Sequence, residues 1–160
     1  MNDRDLYLER RKLEEAKFQR VFAAIPKGKL DYKPHERSPS AAQIMWTVAA
    51  SHAALCDLVE KGRADWEPAP PPGYDEIVSV FDRSWKQLGE KVARLDDAGW
   101  TRKSQIMMGG KVAGEQPVGD FLWGFLFDAV HHRGQLTTYI RPMGGKVPSI
   151  YGPSGDEGPR

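Results

Sequence analysis

Four long segments with apolar side chains every three or four positions dominate this 160-residue sequence. They run from about Asp3 to Ala24, from Ser38 to Gly62, from about Asp75 to Asp96 and from about Val118 to Met143. Amphipathic helices of this length bury their apolar stripes against one another. The pattern therefore predicts an all-α four-helix bundle that forms a single domain over residues 1–160.

Small polar residues, proline and glycine mark the ends of the predicted helices. Asp3 is placed to cap the first helix, and Ser38 to cap the second, with Pro39 in the first helical position. Gly62 is expected to end the second helix.

Two further segments lack helical periodicity. Residues 100–117 contain the pair Gly109-Gly110, which predicts a short hairpin or a loop between the third and fourth helices. Residues 143–160 are rich in proline and glycine, so an irregular C-terminal tail is expected.

Charge and cysteine content restrict the classes of partner. The formal net charge is +1, with 23 basic and 22 acidic residues interspersed, so neither a nucleic acid nor a membrane is expected as a partner. No apolar run approaches the roughly 20 residues that a membrane span needs. The single cysteine, Cys56, excludes an internal disulfide and fits a reducing compartment, which predicts a cytoplasmic protein.

The last helix contains the residues with the clearest chemistry. Asp128 and His132 are four positions apart on the apolar stripe, so both side chains can point at one object. His52 lies on the apolar stripe of the second helix and offers a third ligand for zinc, nickel, manganese or iron. Three protein ligands leave positions open for water or a small-molecule substrate. The alternatives are a hydrogen-bonded Asp–His pair and a histidine that only packs in the core.

The C-terminal third resembles a known family. The run from Asp128 to Leu136 (DAVHHRGQL), followed by Tyr139-Ile140-Arg141 and by VPSIYGPS from Val147, is similar to the signature of the DinB/YfiT-like superfamily. The segment Leu30–Pro34 resembles that family's approach to its second helix. The resemblance implies a four-helix bundle, often a homodimer, with a metal held by three ligands that are usually histidines.

The family pattern differs from this sequence at two of the three ligand positions. Asp128 occupies the position of the first histidine on the last helix, and His132 matches the second. A strict alignment places the family's second-helix histidine nearer Thr47, whereas the apolar stripe favours His52. A carboxylate is an acceptable ligand, so the resemblance implies a metal site of lower charge.

The resemblance also implies an activity, because some superfamily members are transferases or isomerases that use low-molecular-weight thiols. A thiol-dependent transferase or hydrolase would use His131 or Tyr139 in proton transfer, and Arg133 and Arg141 to bind a carboxylate of the thiol. Arg133 has an alternative role as the partner of an acid on a neighbouring helix. The competing function is a non-catalytic, homodimeric, stress-associated bundle that binds a small ligand and in which the Asp–His pair is structural.

Overall fold

The computed structural model describes residues 2–158. Its four long helices are α1 (Asp3–Ala24), α2 (Ala41–Lys61), α3 (Tyr74–Ala93) and α5 (Val118–Ile140), and a short helix α4 (Asp97–Thr101) follows α3. The four predicted helices are confirmed. The third ends at Ala93, and Asp96, predicted as its last residue, instead caps α4, its side chain accepting the Gly99 N–H at 2.7 Å.

The prediction of an all-α fold was incomplete, because a small sheet of three strands is present. The strands β1 (Arg63–Asp65), β2 (Lys103–Met108) and β3 (Lys111–Pro117) lie side by side in that order. The β2–β3 pair is the hairpin predicted from Gly109-Gly110, and both glycines adopt positive φ, 55° and 74°, as a tight hairpin turn requires. The strand β1 was not predicted, since only its central residue is buried and its three residues form no readable alternation.

The helix caps differ from the predicted ones by one or two residues. Asn2, not Asp3, caps α1, its side chain accepting the Asp5 N–H at 2.8 Å. Ser40, not Ser38, caps α2, because Ser40 and Gln43 bond reciprocally to each other's backbone N–H, which satisfies two otherwise free donors. Gly62 ends α2 as predicted, with a φ of 74°.

Helices α2 and α5 pack against each other in antiparallel directions, and this arrangement positions the site. At one end, the Tyr139 hydroxyl on α5 donates to the Pro39 carbonyl just before α2, at 3.1 Å. At the other end, the Arg102 side chain donates to the Val59 carbonyl at 2.7 Å, and the Arg102 carbonyl accepts the Val118 N–H at 3.0 Å. The start of each helix therefore lies beside the end of the other.

An aromatic cluster fills the core where α1 meets α3. The Phe18 and Trp85 ring centroids are 5.3 Å apart, and those of Phe22 and Phe81 are 5.1 Å apart. All four rings are buried, and burial of large rings in tilted or edge-on contact is a major source of stability. Within residues 2–158, no helix is both long enough and apolar enough to cross a bilayer.

Candidate functional site at the α2–α5 groove

Asp128 and His132 form an ion pair on α5, which is the alternative that the sequence analysis left open to a shared metal. His132 Nε2 lies 3.4 Å from Asp128 Oδ2, and His132 Nδ1 lies 3.1 Å from Gln135 Oε1. The Asp128 side chain is 51% exposed, so the pair lies at the rim of the bundle rather than in its core. The stripe of α5 that was predicted to lie in the core therefore borders a surface groove at the level of this pair.

The two partners shift each other's protonation in opposite directions. Hydrogen bonding with Asp128 raises the pKa of His132, although partial burial opposes the shift. The same contact lowers the pKa of Asp128. Because both ring nitrogens face an acceptor, the imidazolium form can donate on both sides, to Asp128 and to Gln135. The arrangement thus favours a carboxylate–imidazolium pair.

Thr47 is one of the α2 residues at the height of this pair. The Tyr139–Pro39 contact gives a common starting point on the two antiparallel helices. At a rise of 1.5 Å per residue, Thr47 lies about 12 Å from Pro39 along α2, and His132 lies about 10.5 Å from Tyr139 along α5. Asp128 is about 16.5 Å along α5 by the same measure. Thr47 is partly exposed and its hydroxyl donates to the Gln43 carbonyl at 2.9 Å. At this height of α2, Thr47 therefore contributes a hydroxyl and not an imidazole.

His52 lies in the core, where it faces α3. Its Nδ1–H donates to the Val48 carbonyl at 2.8 Å, and its ring stacks on Trp85 with centroids 4.8 Å apart. The side chain is 1% exposed, and burial lowers its pKa to about 4. The apolar stripe correctly indicated an inward side chain, but α2 has buried faces toward both α3 and α5.

The structure does not bring His52 together with Asp128 and His132. Among residues 2–158, no three His, Cys, Asp or Glu side chains lie close enough together to hold a metal ion. The donor set therefore does not fit the three-ligand centre that the family resemblance implied.

The two arginines predicted to bind a cofactor are both engaged elsewhere. Arg133 is buried against α1, where it pairs with Glu14 at 2.5 Å and donates to the Tyr151 hydroxyl at 2.6 Å. Arg133 follows His132 directly, so it points about 100° away around the helix. Arg141 pairs with Asp156 of the C-terminal tail at 2.9 Å. The alternative role of Arg133, pairing with an acid on a neighbouring helix, is the one observed.

The two candidates for proton transfer have different surroundings. His131 is exposed and lies edge-on to His132, with ring centroids 5.5 Å apart. Tyr139 is buried, packs edge-on against Tyr32 and donates its hydroxyl hydrogen to Pro39, so it holds α5 against the start of α2. Burial raises the pKa of Tyr139, which disfavours its use as a base.

A cleft of about 370 Å³ lies beside α2 at the height of the Asp–His pair. It is lined by Pro39, Gln43, Trp46, Thr47, Ala50, Trp66, Glu67, Pro68 and Ala69. The sequence analysis did not include Trp66 and Glu67 among the candidate residues. The signal that could have identified them is an indole beside a proline-rich segment, where helix packing does not require one.

The match to a sequence family decides the classification. A sequence model of the DinB superfamily matches residues 12–136. The chain belongs to the DinB superfamily. Among curated proteins, the chain is similar to YrdA of Bacillus subtilis strain 168, with 24% identity over 154 residues, covering 96% of this chain and 90% of YrdA.

Solved DinB-like structures share the fold. A DinB-like protein from Bacillus cereus aligns with a TM-score of 0.71 and 19% identity, covering 91% of this chain and 95% of that one. YfiT from Bacillus subtilis, described as a probable metal-dependent hydrolase with an unusual four-helix bundle topology, aligns with a TM-score of 0.64 and 14% identity, covering 89% of each chain. A mycothiol-dependent maleylpyruvate isomerase aligns with a TM-score of 0.59 and 12% identity, covering 91% of this chain and 64% of the isomerase.

Proposed function

We propose that this member of the DinB superfamily binds a small organic molecule in the groove between α2 and α5, without a three-ligand metal centre. The observation that carries this proposal is the position of Thr47. It stands at the height of the Asp128–His132 pair, while the only histidine of α2 is buried against Trp85. The groove therefore presents one paired imidazole, one carboxylate and a hydroxyl.

These groups can recognise a ligand by hydrogen bonding. Asp128 and Gln135 hold the His132 ring from its two nitrogens, so its orientation is set before a ligand arrives, and pre-organisation lowers the cost of binding. The neighbouring cleft combines apolar rings with a few polar groups, the usual composition of a small-molecule site. The homodimer and the cytoplasmic location stay predictions.

A second candidate is a divalent-metal-dependent transferase or hydrolase whose metal rests on Asp128 and His132 alone. The 3.4 Å separation between His132 Nε2 and Asp128 Oδ2 favours it. Two ligands on a tetrahedral metal with bonds of about 2.0–2.1 Å stand about 3.4 Å apart. This second candidate would use a low-molecular-weight thiol as its partner, and the similarity to the mycothiol-dependent isomerase supports that choice. Arg133 and Arg141 do not support it, since both are paired with acids of this chain.

Metal analysis separates the two candidates. Protein purified without a histidine tag should contain well under one equivalent of zinc, nickel, manganese or iron, and calorimetric titration with zinc should show weak binding. Thr47→His places an imidazole at the height of the pair and should strengthen zinc binding by roughly tenfold or more, since structural zinc sites gain about 10–16 kcal/mol from their ligands together. His52→Phe is the matched control and should leave zinc binding unchanged.

The ligand-binding proposal also has a direct measurement. A thermal-shift screen of small organic molecules should find compounds that stabilise the wild type and lose that effect in Trp46→Leu. One equivalent of tightly bound metal in the wild type, removed by Asp128→Asn, would favour the second candidate over the first. A negative screen together with no metal would contradict both.

A further inference from the structure

We infer that the cleft between Trp46 and Trp66 binds an organic cation, an amine or a quaternary ammonium. This inference rests on the proposed ligand-binding function and names the chemical class of the ligand. The two tryptophans, Thr47 and Glu67 are its key residues, and below it is called the tryptophan cleft.

The rings of Trp46 and Trp66 differ from those of the other tryptophans in their aromatic contacts. Trp85, Trp100 and Trp123 each pack against another aromatic ring. Within residues 2–158, Trp46 and Trp66 pack against no aromatic ring and no side-chain cation stacks on them. Both are half-buried and both line the same cleft. Neither indole is thus engaged by another ring or a cation of residues 2–158, and a positive charge is what an indole face attracts.

The charges of the tryptophan cleft are complementary to a cation. Glu67 is the sole ionisable residue among those that line it, and no lysine or arginine is among them. At the same height, the His132 charge is balanced by Asp128, and the nearby Arg133 on α5 turns away to pair with Glu14. A cationic ligand would therefore meet one uncompensated carboxylate, whereas an anionic ligand would meet repulsion.

The segment that carries Trp66 and Glu67 is held in place. The Trp66 N–H donates to the Met107 carbonyl at 2.8 Å and so extends the contact of β1 with β2. Glu67 Oε1 accepts the Gly109 N–H at 3.0 Å, which fixes the carboxylate beside the hairpin turn. Pro68 then restricts the backbone that follows. Aromatic rings and a carboxylate held by the backbone form a pre-organised site for an ammonium group.

The test compares two probes of one shape and different charge. Choline is the cation, and its carbon isostere, in which a quaternary carbon replaces the nitrogen, is the neutral probe. Binding is followed by calorimetry and by tryptophan fluorescence. Choline should bind at least roughly fivefold more tightly than the isostere, the size expected for a cation over partly desolvated indoles. Glu67→Gln should remove most of that preference and leave the affinity for the isostere unchanged.

Control variants make each outcome decisive. Glu9→Gln removes an exposed carboxylate on α1, away from the cleft, and should leave the preference intact. Trp66→Leu should weaken the binding of both probes. The inference is overturned if choline binds no better than the isostere, if Glu67→Gln has no effect, or if neither probe binds.

The failure of this inference can be told apart from the failure of the proposed function. Isostere binding that Trp66→Leu removes, with no preference for charge, would support a ligand site in the cleft and overturn only the cation. No binding of either probe, together with a negative thermal-shift screen, would overturn both.

Discussion

Lowering the pH should destabilise the fold through His52. Burial lowers the pKa of His52 to about 4, from 6.5 for a free side chain, and the positive charge of Arg11 adds to the shift against the opposing Val48 hydrogen bond. The unfolded chain therefore binds this proton more readily than the folded chain, and stability falls as the pH drops from about 6.5 to 4. By proton linkage, the loss is about 2 kcal/mol at pH 5 and approaches about 3 kcal/mol below pH 4.

Urea denaturation at pH 7 and pH 5 measures this loss. The wild type should lose about 2 kcal/mol more between the two pH values than His52→Phe, which has no proton to bind at this position. His132 has a raised pKa and contributes in the opposite direction, losing stability as pH rises, but it is present in both proteins and cancels in the comparison. Equal pH dependence in the two proteins, within about 0.5 kcal/mol, would refute a buried neutral His52. It would also restore this histidine as a candidate ligand on the α5 side.

Two further predictions concern stability and use urea denaturation at pH 7. Gly119→Ala should cost about 2–3 kcal/mol, because a Cβ there would clash with the Trp100 ring, which Asp3 holds by a hydrogen bond. Gly124→Ala, where a Cβ meets open space in the same helix, is the control and should stabilise by about 1 kcal/mol; equal effects would refute the steric reasoning. Arg133→Met should cost about 3–5 kcal/mol because the Glu14 carboxylate loses its buried partner. Adding Glu14→Gln should recover part of that loss, and simple additivity of the two changes would contradict the ion pair's role.

The helices and the contact between Asp128 and His132 were predictable because they depend on local geometry. A 3–4 spacing of apolar residues specifies a helix and its buried side without reference to the rest of the chain. The contact of Asp128 with His132 needs only the i, i+4 geometry of one helix. The caps were less predictable, since Ser38 and Ser40 both suit a helix start and only the reciprocal bond with Gln43 selects Ser40. The strand β1 depends on its neighbour β2 for its strand pairing and has too few residues to show a pattern.

The contribution of α2 to the site depends on how α2 packs against α5, and no local sequence pattern specifies that packing. Helix α2 is covered by α3 on one side and by α5 on another, so an apolar stripe alone does not say which neighbour an inward residue meets. His52 and Thr47 are five positions apart and point about 140° from each other. The Tyr139–Pro39 hydrogen bond fixes the offset of α2 along α5. With that offset, position 47 lies at the height of the Asp–His pair, and position 52 stacks on Trp85. A single interhelical contact thus sets which α2 residues lie at the level of the pair, and here they include a threonine and not the histidine of α2.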